Sequence, residues 1–186
     1  MSLQKQQNFL AKLYTNAELR RAFSFDSEQI GTQHDLNKSE IAEIAEIMPE
    51  ELNFFAESLF WKRLREVEKF LPITQRILGE GFTNLFRQFA KNFNPQTVKK
   101  HLEDSTEFCK FLQIQNVSEI AKNAAKFEQS KLEFFGYGKR FVFCKLDFDV
   151  RKISLQANDL QNEDLPRKTK IAVWVRAGKR EKYFFV

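Results

Sequence analysis

The stretch from Leu52 to Phe93 places the strongest constraint on what this 186-residue chain can fold into. From 52 to 71 its apolar residues recur at helical spacing and cover nearly half of the helix circumference. Proline at position 72 ends or kinks this helix, because it lacks an amide hydrogen and clashes with the preceding turn. A short helix over 73–78 then ends at Gly79, which fits a left-handed cap. The stretch therefore predicts consecutive helices and no strands.

The third helix of this stretch carries a stripe of aromatic residues. Its apolar positions fall at i, i+3, i+4, i+7 and i+11, and they are Phe82, Leu85, Phe86, Phe89 and Phe93. The chain contains 21 phenylalanines, so we expect a core packed mainly with rings. We predict that this cluster forms the centre of that core.

Two residue pairs in the first helix of the stretch have more than one interpretation. Arg63 and Glu66 lie three residues apart, where they can meet. We expect the aliphatic parts of the two side chains to be buried and their charged groups to remain in water. The alternative is a partly buried pair that orders a binding site. Phe54 and Trp61 fall on the polar face of the same helix. We expect an N-terminal helix to cover them; the alternative is an exposed aromatic interface.

Shorter helices flank this stretch on both sides. Four are predicted before it: Leu3–Tyr14, AELRRAF after Thr15 or Asn16, a turn capped by Asp26 or Ser27, and IAEIAEIM after Asn37. Two are predicted after it: Gln96–Leu112, with Val98, Leu102, Cys109 and Leu112 facing inward, and Glu119–Phe135, capped by Ser118.

The pattern changes to strands after Gly136–Gly138. Arg140 to Val150 alternates, with a slip near Cys144–Lys145 that predicts a bulge, and its inward residues are expected to be Phe141, Phe143, Leu146 and Phe148. Lys170–Arg176 and Glu181–Val186 form a hairpin. The fold class is therefore mainly α (α+β), a multi-helix bundle followed by a small three-stranded antiparallel sheet. We predict a helical domain, 1–135, and a sheet appendage, 139–186, packed on the helices.

Charge and cysteine usage bound the function only loosely. The net charge is +5, with 12 basic and 13 acidic residues in 1–93 and 18 and 12 in 94–186. A basic second half is compatible with nucleic acid or an acidic peptide as partner. Cys109 and Cys144 stand far apart in apolar surroundings, which predicts reduced thiols in the cytoplasm. We find no signal-peptide pattern and no run long and apolar enough to span a membrane.

The sequence lacks the usual signatures of catalysis. His34 and His101 are the only histidines, and neither has a second histidine or a cysteine at metal-ligand spacing. No Gly-rich phosphate loop or nucleophile elbow is present. Asp147 and Asp149 could together bind a cation or act as acid and base, but we expect them on the solvent face of the sheet. We therefore expect no enzymatic activity, no metal and no cofactor.

The basic C-terminal hairpin is the candidate partner-binding site. Its cations are Arg167, Lys168, Lys170, Arg176, Lys179, Arg180 and Lys182. They could neutralise the phosphates of DNA. They could equally flank an edge strand to which a peptide adds as a further strand. A third interpretation is that lysines on edge strands only prevent edge-to-edge association.

The middle of the chain, from about residue 55 to 135, carries a family resemblance. The matching motifs are Phe70-Leu71-Pro72-Ile73, Leu78-Gly79-Glu80, Phe82, Leu85, Phe86, Phe89, Phe93-Asn94-Pro95, Phe108, Phe111-Leu112 and Ala125-Lys126-Phe127-Glu128. They resemble a bacterial family described as a DNA-binding domain. Its members often partner multinuclear iron-dependent oxidative enzymes, which modify ribosomally made peptides. The resemblance implies a non-catalytic accessory subunit that recognises a peptide, or else a DNA binder, and it transfers no catalytic residue.

Overall fold

A computed structural model of the chain describes residues 2–152, 166–178 and 180–186. Helices precede a three-stranded antiparallel sheet, so the predicted fold class is confirmed. The helices are α1 Ser2–Thr15, α2 Ala17–Phe25, α3 Ser27–Gln33, α4 Lys38–Ala45, α5 Pro49–Phe70, α6 Pro72–Leu78, α7 Glu80–Asn92, α8 Lys100–Ile114 and α9 Glu119–Lys131. A π turn, Leu132–Gly136, follows α9, and the strands are β1 Phe141–Leu146, β2 Lys170–Ala177 and β3 Arg180–Phe185.

The chain forms two compact units. The first comprises Met1–Arg63 and Ala90–Asn94, and the second comprises Leu64–Phe89 and Pro95–Val186. The sheet therefore belongs to the same unit as α6, α8 and α9. The division into domains 1–135 and 139–186 stays a prediction about which parts of the chain can fold alone.

Local capping explains where the helices of the first unit begin. The Asn16 side chain accepts hydrogen bonds from the first turn of α2, and Asp26 does the same for α3. Asn37 and Glu40 form a reciprocal capping box at the start of α4. The structure thus selects Asn16 over Thr15 and Asp26 over Ser27, and it confirms the helix start at Asn37. The helices bury one apolar cluster, consisting of Phe9, Leu13, Phe23, Leu36, Ile41, Ile44 and Leu52.

Aromatic rings fill the interface between α7 and α8 in the second unit. The fully buried ring of Phe108 lies 5.2 Å from both Phe82 and Phe86 and 5.5 Å from Phe89, measured between ring centroids. The Phe82 and Phe86 contacts are edge-to-face, which places the positive edge of one ring against the negative face of another. The predicted phenylalanine cluster is thus confirmed as part of the core.

Two expectations for α5 are wrong. The exposed fractions of Phe54 and Trp61 are 70% and 43%, so neither side chain is covered as expected. The buried stripe of the helix is also narrower than predicted, and it consists of Leu52, Ala56, Leu64 and Val67. For the charged pair, the Arg63 guanidinium donates to the Phe93 carbonyl at 3.0 Å, and Glu66 forms an ion pair with Lys69 at 2.6 Å.

The predicted start of α8 is also wrong. The helix begins at Lys100, and Val98, which we expected to face inward, is fully exposed. The carboxylate of Glu103 accepts hydrogen bonds from the backbone N–H groups of Gln96 and Thr97, at 3.0 and 2.8 Å. These hydrogen bonds hold residues 96 and 97 outside the helix, which begins at residue 100. The spacing of apolar residues does not contain this information.

The inward face predicted for β1 is wrong in the first half of the strand, whereas Leu146 and Phe148 are buried as predicted. Val142, Cys144 and Leu146 are buried, whereas Phe141 and Phe143 are exposed. The register with β2 is continuous from residue 141 to 146, so the predicted bulge is absent from this strand. The buried side of the sheet packs against α9 and the π turn in a cluster with Ile120, Phe127, Phe134, Phe148, Val150, Ala172 and Trp174. Strict alternation over Val142, Cys144, Leu146, Phe148 and Val150 describes the buried side without a slip.

Candidate functional site

The strand order leaves β3 as an edge of the sheet. The order is β1-β2-β3, so β2 is central and cannot accept a further strand. Ile171 and Val186 exchange two backbone hydrogen bonds, at 2.9 and 3.0 Å. In an antiparallel pair such bonds alternate along the strand. The N–H and C=O groups of Glu181, Tyr183 and Phe185 therefore point away from β2, where another strand could pair with them.

An apolar row crosses the outer face of the sheet. Phe143 pairs with Val173 in the register, and Val173 pairs with Phe184, so the three side chains lie side by side. The exposed fractions of Phe143 and Phe184 are 55% and 51%. Lys182 and Arg180 follow Phe184 on the same face of β3 toward the hairpin. The outer face thus combines exposed rings with two cations.

Arg176 lies on the other face, where it holds the sheet to the π turn. Its Nε atom donates to Glu181 Oε1 at 2.9 Å, and its Nη2 atom donates to the Phe134 carbonyl at 3.4 Å. The guanidinium also lies 4.7 Å from the centroid of the Phe134 ring. These contacts give Arg176 a structural role on the helix-facing side of the hairpin.

The other predicted cations do not form one basic ribbon. Arg167 and Lys168 are exposed in the segment before β2, and the Lys168 N–H donates to the Asp147 carbonyl at 2.9 Å. Lys170 lies on the same face as Arg176, with its ammonium 5.9 Å from the Phe185 ring. Lys179 lies outside the described residues. Of the seven predicted residues, the structure brings together Arg180 and Lys182 on the outer face.

The residues considered for metal or acid–base chemistry lie apart. The His34 ring packs 5.0 Å from the Phe9 ring, in the first unit. Asp147 is exposed beyond the end of β1, and Asp149 forms an ion pair with Arg151 at 3.5 Å. Within residues 2–152, 166–178 and 180–186, no group of three potential metal-ligating side chains occurs.

The sequence reasoning missed a surface cleft beside the first turn of α8. The cleft has a volume of about 640 Å³. Its lysines are Lys69, Lys99, Lys100 and Lys131. Its principal apolar side chains are Phe70, Val98, Leu102, Leu132 and Phe135. The available signal is the run Lys99-Lys100-His101. The predicted helix Gln96–Leu112 includes this run and points its three side chains in different directions.

The polar groups of the cleft differ in whether they have a hydrogen-bond or ion-pair partner within the protein. Lys99 Nζ donates to the Gly136 carbonyl at 2.8 Å, and Lys69 is paired with Glu66. The buried Nδ1 atom of His101 has no hydrogen-bond partner among the described residues. No side chain caps α8, and hydrogen bonds from Thr97 lower the pKa of the Glu103 carboxyl, which faces the preceding segment.

A buried carboxyl group lies between α9 and α6. Glu128 accepts hydrogen bonds from the backbone N–H groups of Ile73 and Thr74, at 2.8 and 3.0 Å, and from the Thr74 hydroxyl at 2.7 Å. Burial raises the pKa of Glu128 above its ordinary value, and these hydrogen bonds oppose part of the rise. Two of the motifs that carry the family resemblance, one ending at Ile73 and one at Glu128, therefore contact one another.

No family model matches the chain, and no curated protein matches it. The family resemblance therefore stays a prediction. Among the helices of the described residues, none is both long and apolar enough to cross a membrane.

Proposed function

We propose that this protein is a non-catalytic binding protein that recognises an extended peptide by adding it to the edge of β3. The observation that carries the proposal is the row of outward N–H and C=O groups on Glu181, Tyr183 and Phe185. Strand addition obtains affinity from such main-chain groups and specificity from alternate side chains.

The side chains around this edge indicate the chemistry of the peptide. A strand added beside β3 places every second side chain next to Phe184, Lys182 and Arg180 on the outer face. The exposed ring favours an apolar neighbour, and the two cations favour acidic ones. A peptide in which acidic and apolar residues share one face therefore fits this edge. The family resemblance extends the proposal: the peptide is the substrate of a modifying enzyme, and this chain is that enzyme's accessory subunit.

The direct test removes one outward N–H group from β3. Tyr183→Pro deletes that donor at an edge position, where proline is tolerated. Tyr183→Ala is the matched control, because it loses the same side chain and keeps the N–H group. The probe is a peptide in which every second residue is glutamate or valine and threonine stands between them, so that the acidic and apolar side chains share one face. Its binding is titrated by calorimetry. We expect Tyr183→Pro to bind it much more weakly than Tyr183→Ala. Equal binding by the two variants contradicts strand addition at this edge.

DNA binding is the second candidate, and the exposed cations Arg180, Lys182, Arg167 and Lys168 favour it. Affinity for mixed-sequence duplex DNA then falls steeply with salt, with a log–log slope close to the number of phosphates neutralised. A peptide held by main-chain pairing loses much less affinity over the same range. The double variant Arg180→Ala, Lys182→Ala separates the candidates. Loss of DNA binding, with a steep slope in the wild type, supports the DNA function. Loss of peptide binding with a shallow slope supports the peptide function, and unchanged binding of both probes contradicts this site.

A further inference from the structure

We propose that the cleft beside the first turn of α8 binds a small-molecule carboxylate with an apolar tail, of the fatty-acid type. This site uses none of the residues of the proposed peptide edge. Its volume of about 640 Å³ falls within the range of roughly 300–1,000 Å³ that is usual for small-molecule pockets. A folded partner does not enter a space of this size, whereas an alkyl chain of moderate length does.

Apolar side chains line the space that the tail would occupy. Leu102 and Leu132 are buried, whereas Phe135 and Val98 remain exposed. Covering such apolar surface with an alkyl chain removes it from water, which stabilises the complex by about 25 cal/mol per Å². The tail accounts for affinity, and the charged groups must then account for the head group.

The charges of the cleft select an anion. Four lysines and no acidic residue are found among its described lining residues. Within the described chain, neither Lys100 nor Lys131 has a carboxylate at ion-pair distance. The Lys131 ammonium lies 5.9 Å from the centroid of the Phe127 ring, whereas Lys100 is exposed at the cleft. A cation such as Lys100 beside an apolar surface is complementary to one negative head group.

The backbone at the same place adds to this preference. The first turn of a helix leaves N–H groups without partners inside the helix, and the helix dipole makes this end positive. In α8 no side chain caps these groups, and Lys100, His101 and Leu102 all line the cleft. A carboxylate beside Lys100 can accept from these N–H groups while its tail covers Leu102 and Phe135.

The test is an NMR titration of nitrogen-15-labelled protein with octanoate, acetate and octanol. We expect octanoate to shift the amide signals of Lys100, His101 and Leu102. Acetate lacks the tail and octanol lacks the charge, so both should bind more weakly, by roughly tenfold or more. Absence of shifts at these amides overturns the proposal. So does equal binding of octanoate and octanol, since the lysines would then have no role.

Two variants of equal charge change locate the head group. Lys100→Glu reverses a charge in the cleft, and Lys126→Glu reverses an exposed charge on α9 that does not line it. An acidic residue in the first turn favours helix α8, so loss of ligand by Lys100→Glu cannot be attributed to unfolding. We expect the Kd for octanoate to rise roughly tenfold in Lys100→Glu and to change less than about twofold in Lys126→Glu. Equal effects of the two substitutions contradict the assignment.

Two further measurements complete the test. Phe135→Ala should weaken octanoate binding without changing acetate binding, because it shortens only the apolar part of the cleft.

Sedimentation with phosphatidylglycerol vesicles distinguishes a free ligand from a lipid surface. Binding to vesicles without binding of free octanoate overturns the proposal in favour of a membrane-facing site. Binding of free octanoate that is lost in Lys100→Glu supports it.

Discussion

Helices α6 and α8 belong to the same compact unit and differ at their N-termini. In α6 the first turn is occupied by the buried carboxyl group of Glu128, which accepts three hydrogen bonds there. In α8 the first turn has no side-chain cap and opens into a cleft lined by lysines. One helix start receives a carboxyl group from α9, and the other borders a cleft whose charged side chains are lysines.

The difference teaches that at these two helix starts the neighbouring sequence does not decide how the N–H groups are satisfied. Glu128 reaches α6 from α9, more than 50 residues later in the chain. Glu103 lies in the first turn of α8, yet its carboxylate binds the N–H groups of Gln96 and Thr97, before the helix. The positive end of α8 is thus left for a ligand, as proposed above.

The largest loss of stability is expected in the aromatic core beside α8. Phe86 is fully buried against Phe108. We expect Phe86→Ala to lower the free energy of unfolding by about 3–5 kcal/mol, because the truncation leaves a cavity. Denaturant unfolding followed by circular dichroism measures the change. A midpoint equal to that of the wild type contradicts a rigid aromatic core here.

Removing the internal anion of α6 should have the next largest effect. Glu128→Ala leaves three buried donors without their acceptor, and we expect a loss of about 3 kcal/mol. Glu119→Ala, at the exposed start of the same helix, is the matched control and should cost less than about 1 kcal/mol. If both substitutions cost the same, Glu128 does not stabilise α6 and the contrast between the two helix starts disappears.

A finer test removes a single donor from the same carboxyl group. Thr74→Val keeps the shape of the buried side chain and deletes the hydroxyl group that donates to Glu128 at 2.7 Å. We expect a loss of about 1.5 kcal/mol, typical of a hydrogen bond to a charged acceptor. The same unfolding measurement applies, with Thr74→Ser as a variant that keeps the hydroxyl group. Serine should restore the polar part of the interaction, and a serine variant no more stable than valine would show that shape matters more than the bond.

The smallest effect is expected at α8, and it has the opposite sign. Lys100→Glu places a negative charge beside the uncapped first turn, so the free energy of unfolding should rise by about 0.3–1 kcal/mol at low salt. Lys126→Glu, away from a helix start, is the control. Thermal unfolding at low and high salt tests the cause, because screening should abolish the gain. A loss of stability in Lys100→Glu contradicts an unsatisfied positive end.

Short-range patterns in the sequence were enough to predict most of the helices. Asn16, Asp26 and Asn37 cap helices through bonds that span two or three residues, so the local sequence contains both partners. The stripe containing Phe82, Phe86 and Phe89 repeats at helical spacing, and its burial followed from that spacing. The antiparallel pairing of β2 with β3 also followed from the hairpin, whereas the position of β1 beside β2 did not.

The predicted site was located only in part. The sequence identified the basic residues of the hairpin, but alternation along β2 and β3 places Arg176 and Lys182 on opposite faces. It could not show that Arg176 binds Glu181 and the Phe134 carbonyl, since that contact depends on how the sheet packs against the π turn. The cleft was missed because its residues come from segments that are distant in the chain.

What the sequence determined by itself is therefore the set of helices and strands, since capping and periodicity act within a few residues. What only the tertiary structure decided is which side of an element is buried and which polar group meets which. Val142 and Cys144 face inward in place of Phe141 and Phe143, and this side of the sheet packs against α9 and the π turn. Such choices depend on the shape and charge of surfaces that come together only when the chain has folded, and no local pattern records them.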